Sequence, residues 1–298
     1  MSDKKATTIE EQIDILKSRG IIIENEAYAK VVLFDIGYFR IGSYSFPFEV
    51  TYPQKINRTH KFKANTKFED IVNLYFFDVE LRHIFLRYLA LIEVNFKTKI
   101  IYIVSNHFKD YNTWFINTDV VTEKYISSFD KEVYTDKFKL NKVIKNHHKM
   151  YISDKYAPAW KTIEFMTLGS VIKLYNALKD SAVKQKISLI YGINSPSILN
   201  SYLETIRDIR NLSAHGSVMY DLRLSKGIAK GPGLILANEG QKTNLCGATH
   251  IIEYFLKYIS EKKAEDFKND IENILIKYKD NKELNTIIST CSGYDLCK

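Results

Sequence analysis

The 298-residue sequence predicts an all-α protein, because turn-forming residues are few and apolar residues recur at helical spacing. Only 12 Gly and 5 Pro are present, too few for the many turns of a sandwich or barrel. Long stretches rich in Leu, Ile, Lys and Glu favour helices instead. The length allows one large domain or two modest ones with a sizeable core.

The N-terminal residues 1–65 predict helices followed by an aromatic segment. "TTIEEQIDILKSRG" forms a first helix that Thr7 or Thr8 can cap, and a second short helix covers Glu26–Asp35. "IGYFRIGSYSFPFEV" contains two glycines and a proline, so it cannot be a regular helix throughout. We predict that residues 1–65 form a helical and aromatic elaboration packed on the core.

Residues 66–280 predict the main helical bundle. Its first part, residues 66–107, reads as a short helix and then a long one, with apolar residues at helical spacing from Leu81 onward. Residues 110–156 are polar and rich in Lys. "APAWKTIEFMTLGSVIKLYNALKD" predicts a helical segment interrupted near Gly169.

The clearest helix is "NSPSILNSYLETIRDIRNLSAHG", which Asn194 or Ser195 can cap and Gly216 ends. Residues 218–237, with "KGPG" in the middle, predict a short hairpin-like insertion or a loop. Two further helices are predicted at about 244–260 and 262–279. Residues 281–298 are predicted to be a C-terminal tail.

The composition and the net charge place only loose limits on the function. The formal net charge of +8 suits a polyanionic partner, but a modest Lys excess is also common background composition. The three cysteines form no CxxC motif, so we predict neither a zinc site nor a disulfide framework, and no cofactor. The start has no apolar targeting region and no apolar run reaches membrane-spanning length, so a cytoplasmic protein with no membrane partner is expected.

Arg210, Asn211 and His215 at the end of the clearest helix suit metal-independent RNA cleavage. RNA carries its own nucleophile, the 2′-hydroxyl. Histidine can transfer protons near neutral pH, arginine fits phosphate oxygens with a charged planar fork, and Asn211 could orient either group. Five residues turn an ideal helix by about 140 degrees, so Arg210 and His215 would not share a face if the helix continued straight. Either Gly216 lets the imidazole swing back, or two copies of the helix pool their pairs across a dimer.

A purely structural interpretation of these residues stays open. Arg210 could pair with Asp208, Glu204 or Glu93 while His215 caps carbonyls, since ion pairs at helix ends are common.

Other candidates carry similar alternatives. Glu93 and Lys97 could support the site from a neighbouring helix or form only a local pair. Arg207, His147 and His148 are candidate RNA-binding residues, although a solvated surface explains the histidines equally simply. His147 and His148 are adjacent, so a helix cannot turn both toward one metal.

Four blocks of the sequence resemble the Abi-like abortive-infection family (AbiD/AbiF type). "LKSRG…GYFRIGSYSFPF" resembles the family's "LxxRGL" and "GYYRLxxYxxPF", and "LRHIFLRYLALIEVNFKTKI" resembles its long "LRxxxxxxLExIEIxxRTxI" helix. "PAWKTIEFMTLGSVIKLYNAL" is similar to "PxWxxxExxTFGxLSxLYxxL". "IRDIRNLSAHGSVMYD" is similar to the closing "LRxxRNxxAHHxRLWN", with Gly216 in place of the second His. The matching positions in the first block are Arg19, Gly20, Gly37, Tyr38, Arg40, Tyr44, Pro47 and Phe48.

The resemblance implies a HEPN-type helical bundle and phage defence by toxicity to the infected host. HEPN ribonucleases use an R-x4-6-H pair at a dimer interface without a metal, and some family members are held in check by a small RNA. Carried onto this sequence, the pair is Arg210 and His215, with Asn211 as the polar residue after the arginine.

We therefore predict a homodimeric endoribonuclease. The alternative is a non-catalytic RNA-binding or regulatory module, to which a cognate small RNA could bind. In that module the same pair holds a phosphate without cutting. DNA binding is disfavoured, because no recognition-helix pattern is present.

Overall fold

The computed structural model describes residues 5–235 and 239–294, and these residues confirm the all-α prediction. They contain fourteen α-helices and short 3₁₀ turns, and their only extended pairings are isolated bridges such as Ile22 with Lys67. The helices are α1 (Ile9–Ser18), α2 (Glu26–Asp35), α3 (Tyr38–Ser45), α4 (Phe68–His107), α5 (Glu123–Glu132), α6 (Asp136–Lys139), α7 (Lys142–Met150), α8 (Ala159–Phe165), α9 (Leu168–Ala177), α10 (Ser181–Ile190), α11 (Pro196–Ala214), α12 (Leu245–Lys257), α13 (Glu261–Lys277) and α14 (Lys282–Ser292).

The N-terminal elements follow their local sequence closely. Thr8 caps α1 in a reciprocal capping box with Glu11, and α2 has the bounds that the sequence predicts. In the aromatic segment, α3 gives way to a 3₁₀ turn at Phe46–Phe48, where Pro47 stands. The segment is therefore not one regular helix, as predicted, and α3 packs against α4.

The region predicted as a short helix and then a long one is a single 40-residue helix, α4. No Gly or Pro interrupts Phe68–His107, and a buried face runs from Phe68 to Val104. Asp78 and Arg82 lie on that face and break the apolar pattern without breaking the helix. Because α4 contacts helices from both ends of the chain, including α3, α11 and α14, it forms the centre of the core.

The structure shows how two segments predicted in the second half of the chain are arranged. The segment predicted to be interrupted near Gly169 divides into α8 and α9 between Phe165 and Leu168. Residues 218–235 form an irregular segment whose only ladder-like contact is the bridge between Gly231 and Leu234. Residues 236 and 237 of the predicted hairpin-like insertion lie outside the described residues.

The segment predicted as a C-terminal tail contains α14, which packs against α4. Asn281 caps the helix, and Gly293 ends it in the left-handed region with φ of 79°. Leu284 and Ile288 are buried at helical spacing. Apolar burial therefore fixes residues 282–292 as part of the core, and residues 295–298 lie outside the described residues.

Candidate functional site

The candidate site lies where α11 ends. A buried stripe that includes Leu203, Ile206 and Ile209 holds the helix against the core. The Gly216 N–H bonds to the Ser213 carbonyl at 3.4 Å and the Ser217 N–H to the Leu212 carbonyl at 3.0 Å. These bonds make a Schellman ending, which Gly216 allows with φ of 66°. The chain therefore leaves the helix directly after His215.

Arg210 and His215 both reach solvent at this end. The Arg210 side chain is 42% exposed, and its Nε lies 3.7 Å from Glu93 Oε2. Arg210 Nη1 donates to Asn211 Oδ1 at 3.4 Å. Of the three acids considered from sequence, Glu93 pairs with Arg210, whereas Asp208 pairs with Arg207 and Glu204 with Lys226.

The His215 imidazole is exposed and makes no hydrogen bond or ion pair with any residue that the structure describes. Only its backbone takes part in the helix ending, through an N–H bond to Asn211 O at 3.0 Å. The imidazole therefore does not cap carbonyls, and within one chain it makes no hydrogen bond to the Arg210 guanidinium.

Glu93 takes part in both interactions that the sequence left open. Its Oε1 lies 2.8 Å from Lys97 Nζ, one turn further along α4, while Oε2 faces Arg210. Lys97 is nearly buried and also donates to the Glu164 carbonyl at 3.2 Å. The carboxylate therefore connects α4 to the guanidinium on α11.

The three candidate RNA-binding residues have partners within the chain. Arg207 donates from Nε and Nη2 to Asp208 Oδ1 at 3.0 and 2.7 Å. His148 Nε2 lies 2.8 Å from Tyr134 Oη, in a half-buried position.

His147 is only 3% exposed, with Nε2 3.1 Å from Asp154 Oδ2. Burial and the charge of Lys161 lower its pKa, although Asp154 opposes them. Its burial leaves the ring no surface for RNA, so the structure does not support that role for His147.

A second set of residues, to which sequence reasoning gave no role, fixes the backbone after His215. Arg40 on α3 donates from Nη1 to the Gly216 carbonyl at 2.8 Å. Arg82 on α4 donates to the Ser217 carbonyl at 3.0 Å. The sequence signal that could have pointed to Arg40 is the "GYFR" motif, in which a charged residue follows one glycine and two aromatic residues.

Asp78 on α4 anchors two further residues of that segment, Met219 and Tyr220. Its carboxylate accepts the Met219 N–H at 3.0 Å and the Tyr220 N–H at 2.7 Å, together with Tyr44 Oη and Arg82 Nη1 at 2.7 Å each. Burial raises the pKa of Asp78, while these donors and the charge of Arg82 favour its charged form. The segment that follows His215 is thus tied to α3 and α4 at four of its first five residues.

The arrangement is suited to bind an anion and to move a proton. An exposed guanidinium can bind phosphate oxygens, and an exposed imidazole can accept or donate a proton. Among the described residues, no group of three His, Cys, Asp or Glu side chains is placed to hold a metal ion. No helix within these residues has the length and apolar character needed to cross a membrane.

Comparison with known proteins gives one match. A family model described as "Abi-like protein" matches residues 31–221, which is more than half of the chain. The matched range includes Arg40, Glu93, Arg210 and His215. No curated protein and no solved structure matches the chain significantly.

Proposed function

This chain belongs to the Abi-like protein family, and from that premise we propose that it is an abortive-infection toxin acting as a metal-independent, HEPN-type endoribonuclease. One observation carries the proposal. At the end of α11, inside the matched range, an exposed imidazole that bonds to no polar group of the described residues lies five residues from a guanidinium oriented by Glu93. In a histidine that served only as a helix cap, a ring N–H would donate to one of the helix carbonyls.

The reaction would proceed by attack of the RNA 2′-hydroxyl on the adjacent phosphorus. A base removes the 2′-hydroxyl proton as the new P–O bond forms, and an acid protonates the departing 5′-oxygen as the old P–O bond breaks. The products are a 2′,3′-cyclic phosphate and a 5′-hydroxyl. His215 supplies proton transfer, and Arg210 stabilises the extra negative charge on the phosphate oxygens. Asn211 positions the guanidinium through its side-chain oxygen.

The site would be completed by a second copy of the chain. One chain offers a single imidazole, and that imidazole makes no hydrogen bond to its own Arg210. Two copies of α11 placed together would supply two imidazoles and two guanidinia to one phosphate. Val94 follows Glu93 on α4 and is 56% exposed, and we propose that its surroundings form the contact face.

Cleavage of a labelled single-stranded RNA in the presence of EDTA tests the activity. Wild type is expected to cut, and His215→Ala to cut at least about 100-fold more slowly, because general acid–base catalysis contributes that much. His107→Ala, which removes an exposed imidazole at the far end of α4, is the matched control and should cut normally.

The rival is a non-catalytic RNA-binding module. RNA binding without cleavage, unchanged in His215→Ala, would favour that rival and exclude the enzyme. In the host, wild type is expected to stop growth and Arg210→Ala to permit it.

A further inference from the structure

A second feature of the surface is a pocket of about 690 Å³ between α1, α3, residues 55–62 and the segment that follows His215. Its volume lies in the range of pockets that hold small organic ligands. Val218, Tyr220 and Asp221 form the side nearest to the candidate site. None of the side chains that line the pocket has a role in the proposed cleavage.

The cations of this pocket exceed what its carboxylates neutralise. Glu49 is already occupied, since Arg58 Nε donates to it at 3.0 Å and His60 Nδ1 lies 3.2 Å away. Burial alone would raise the pKa of Glu49, but these two partners outweigh burial and the pKa lies below its ordinary value. The Glu49 cluster therefore brings no uncompensated negative charge into the pocket.

Two further cations, Arg19 and Lys55, make no ion pair with any carboxylate of the described residues. Arg19 Nη1 donates only to Tyr38 Oη, at 3.1 Å. The remaining carboxylate, Asp221, lies 3.2 Å from Arg223; burial raises its pKa, and the charges of Arg223 and Lys55 oppose that rise. The pocket thus offers an anion two positive side chains that form no ion pair with a carboxylate of the described residues.

The pocket also carries an aromatic ring that is almost fully exposed. Phe39 on α3 lines it and is 90% exposed, whereas Phe46 is covered by the Arg58 guanidinium at 4.4 Å from the ring centre. An exposed ring beside free cations is the combination that binds a nucleotide, because a base stacks on the ring while a phosphate meets the cations.

We propose that this pocket binds a nucleoside phosphate, with the base on Phe39 and the phosphate at Arg19 and Lys55. The ligand is either a free nucleotide or one nucleotide of an RNA strand. Arg40 follows Phe39 in the chain and bonds to Gly216, so the pocket adjoins the end of α11. Only the strand form rests on the proposed function, since a free nucleotide needs no cleavage.

Binding is measured on the full chain carrying His215→Ala, so that RNA stays intact. Calorimetry uses AMP, UMP and inorganic phosphate, and fluorescence anisotropy uses a labelled ten-nucleotide single-stranded RNA. Phe39→Ala and Lys55→Gln should each weaken binding by about tenfold, the size of a lost stacking or phosphate contact. The matched controls are Phe34→Ala, a ring 79% exposed on α2 outside the pocket, and Lys61→Gln, a neighbouring exposed lysine. Both should bind like the parent.

Each outcome decides the proposal. Mononucleotide binding that depends on Phe39 identifies a free nucleotide, and binding of the oligonucleotide alone with the same dependence identifies a strand; both support it. Equal affinity in Phe39→Ala and Phe34→Ala, or phosphate binding as tight as AMP binding, overturns it. So does a dimer that dissociates in Phe39→Ala under light scattering, because the ring would then belong to a subunit interface.

The two proposals fail separately. A chain that binds nucleotide through Phe39 but cuts no RNA disproves the ribonuclease and leaves the pocket. A chain that cuts RNA but binds nucleotides equally well in Phe39→Ala disproves the nucleotide pocket and leaves the ribonuclease proposal intact.

Discussion

Arg40 and Gly216 are joined by a 2.8 Å hydrogen bond across 176 positions of the chain. The bond ties α3 to the second residue beyond the end of α11, directly after His215. A Cβ at Gly216 would lie 3.6 Å from Arg40 Nη1, so the guanidinium lies closely along this turn. Arg40 is therefore a positioning residue for the backbone that carries the imidazole.

Replacing Arg40 should change turnover more than substrate affinity. Arg40→Ala removes one charge-assisted hydrogen bond, and we expect kcat for RNA cleavage to fall by about tenfold with KM nearly unchanged. Arg40→Lys should recover most of the loss, because an ammonium can still donate to the Gly216 carbonyl. Because Arg40 is exposed, its replacement should change the free energy of unfolding by no more than about 0.5 kcal/mol. A rise in KM alone would instead mean that Arg40 binds RNA directly.

Asp78 should contribute far more to the free energy of unfolding than Arg40 does. Asp78→Ala leaves the buried Arg82 without its counter-charge and leaves the Met219 and Tyr220 N–H groups without an acceptor. We expect the free energy of unfolding to fall by about 3 kcal/mol or more, as measured by urea denaturation. Tyr44→Phe, which removes one donor to the same carboxylate and one acceptor of the Arg82 guanidinium, should cost less, about 1 to 2 kcal/mol. Equal losses in the two variants would contradict the role given to Asp78.

The same carboxylate explains why α4 could not be read fully from the sequence. Apolar spacing predicts a helix from Leu81 onward, but Asp78 and Arg82 interrupt the buried face just where the two parts join. Their partners lie in the segment after α11, 141 positions away for Asp78 and Met219, so no local pattern reveals that both are buried. In contrast, α14 has Leu284 and Ile288 at helical spacing with an Asn cap, and that pattern was present in the sequence.

The residues of the candidate site also differ in how far the sequence predicts them. Arg210, Asn211 and His215 belong to one short motif, so sequence could place them together at the end of a helix. The role of Arg40 depends on a contact between distant segments. The burial of His147 likewise depends on packing that a Lys-rich stretch does not reveal.

His147 should make stability depend on pH. Burial and the charge of Lys161 lower its pKa in the folded chain, so between that value and the unfolded value of about 6.5 the unfolded chain binds more protons. The stabilisation is fully present above about pH 6.5 and is lost as the pH falls toward the folded pKa.

Urea denaturation between pH 5 and 7.5 measures this dependence. Both His147→Gln, which cannot titrate, and Lys161→Met, which removes a repelling charge, should flatten the decline below pH 6.5. His250, whose pKa burial also lowers, supplies an independent part of the slope, so His250→Gln should flatten it further. A slope unchanged in His147→Gln would show that this imidazole does not contribute.

Mixed dimers test whether one active site draws on two chains. Residues 210 and 215 lie about 140 degrees apart around an ideal helix, and within one chain no hydrogen bond joins their side chains. Arg210→Ala and His215→Ala chains should each be inactive alone. When co-purified as a mixed dimer with distinct tags, they should regain measurable cleavage, because one chain still supplies the guanidinium and the other the imidazole.

Val94→Asp introduced into both chains places a charge on the proposed contact face and should abolish this recovery, with monomers seen by light scattering. Mixed dimers as inactive as either parent would contradict a site that works with one guanidinium and one imidazole from different chains. If each chain cuts with its own pair instead, the turn at Gly216 has to bring His215 back to Arg210 when RNA binds.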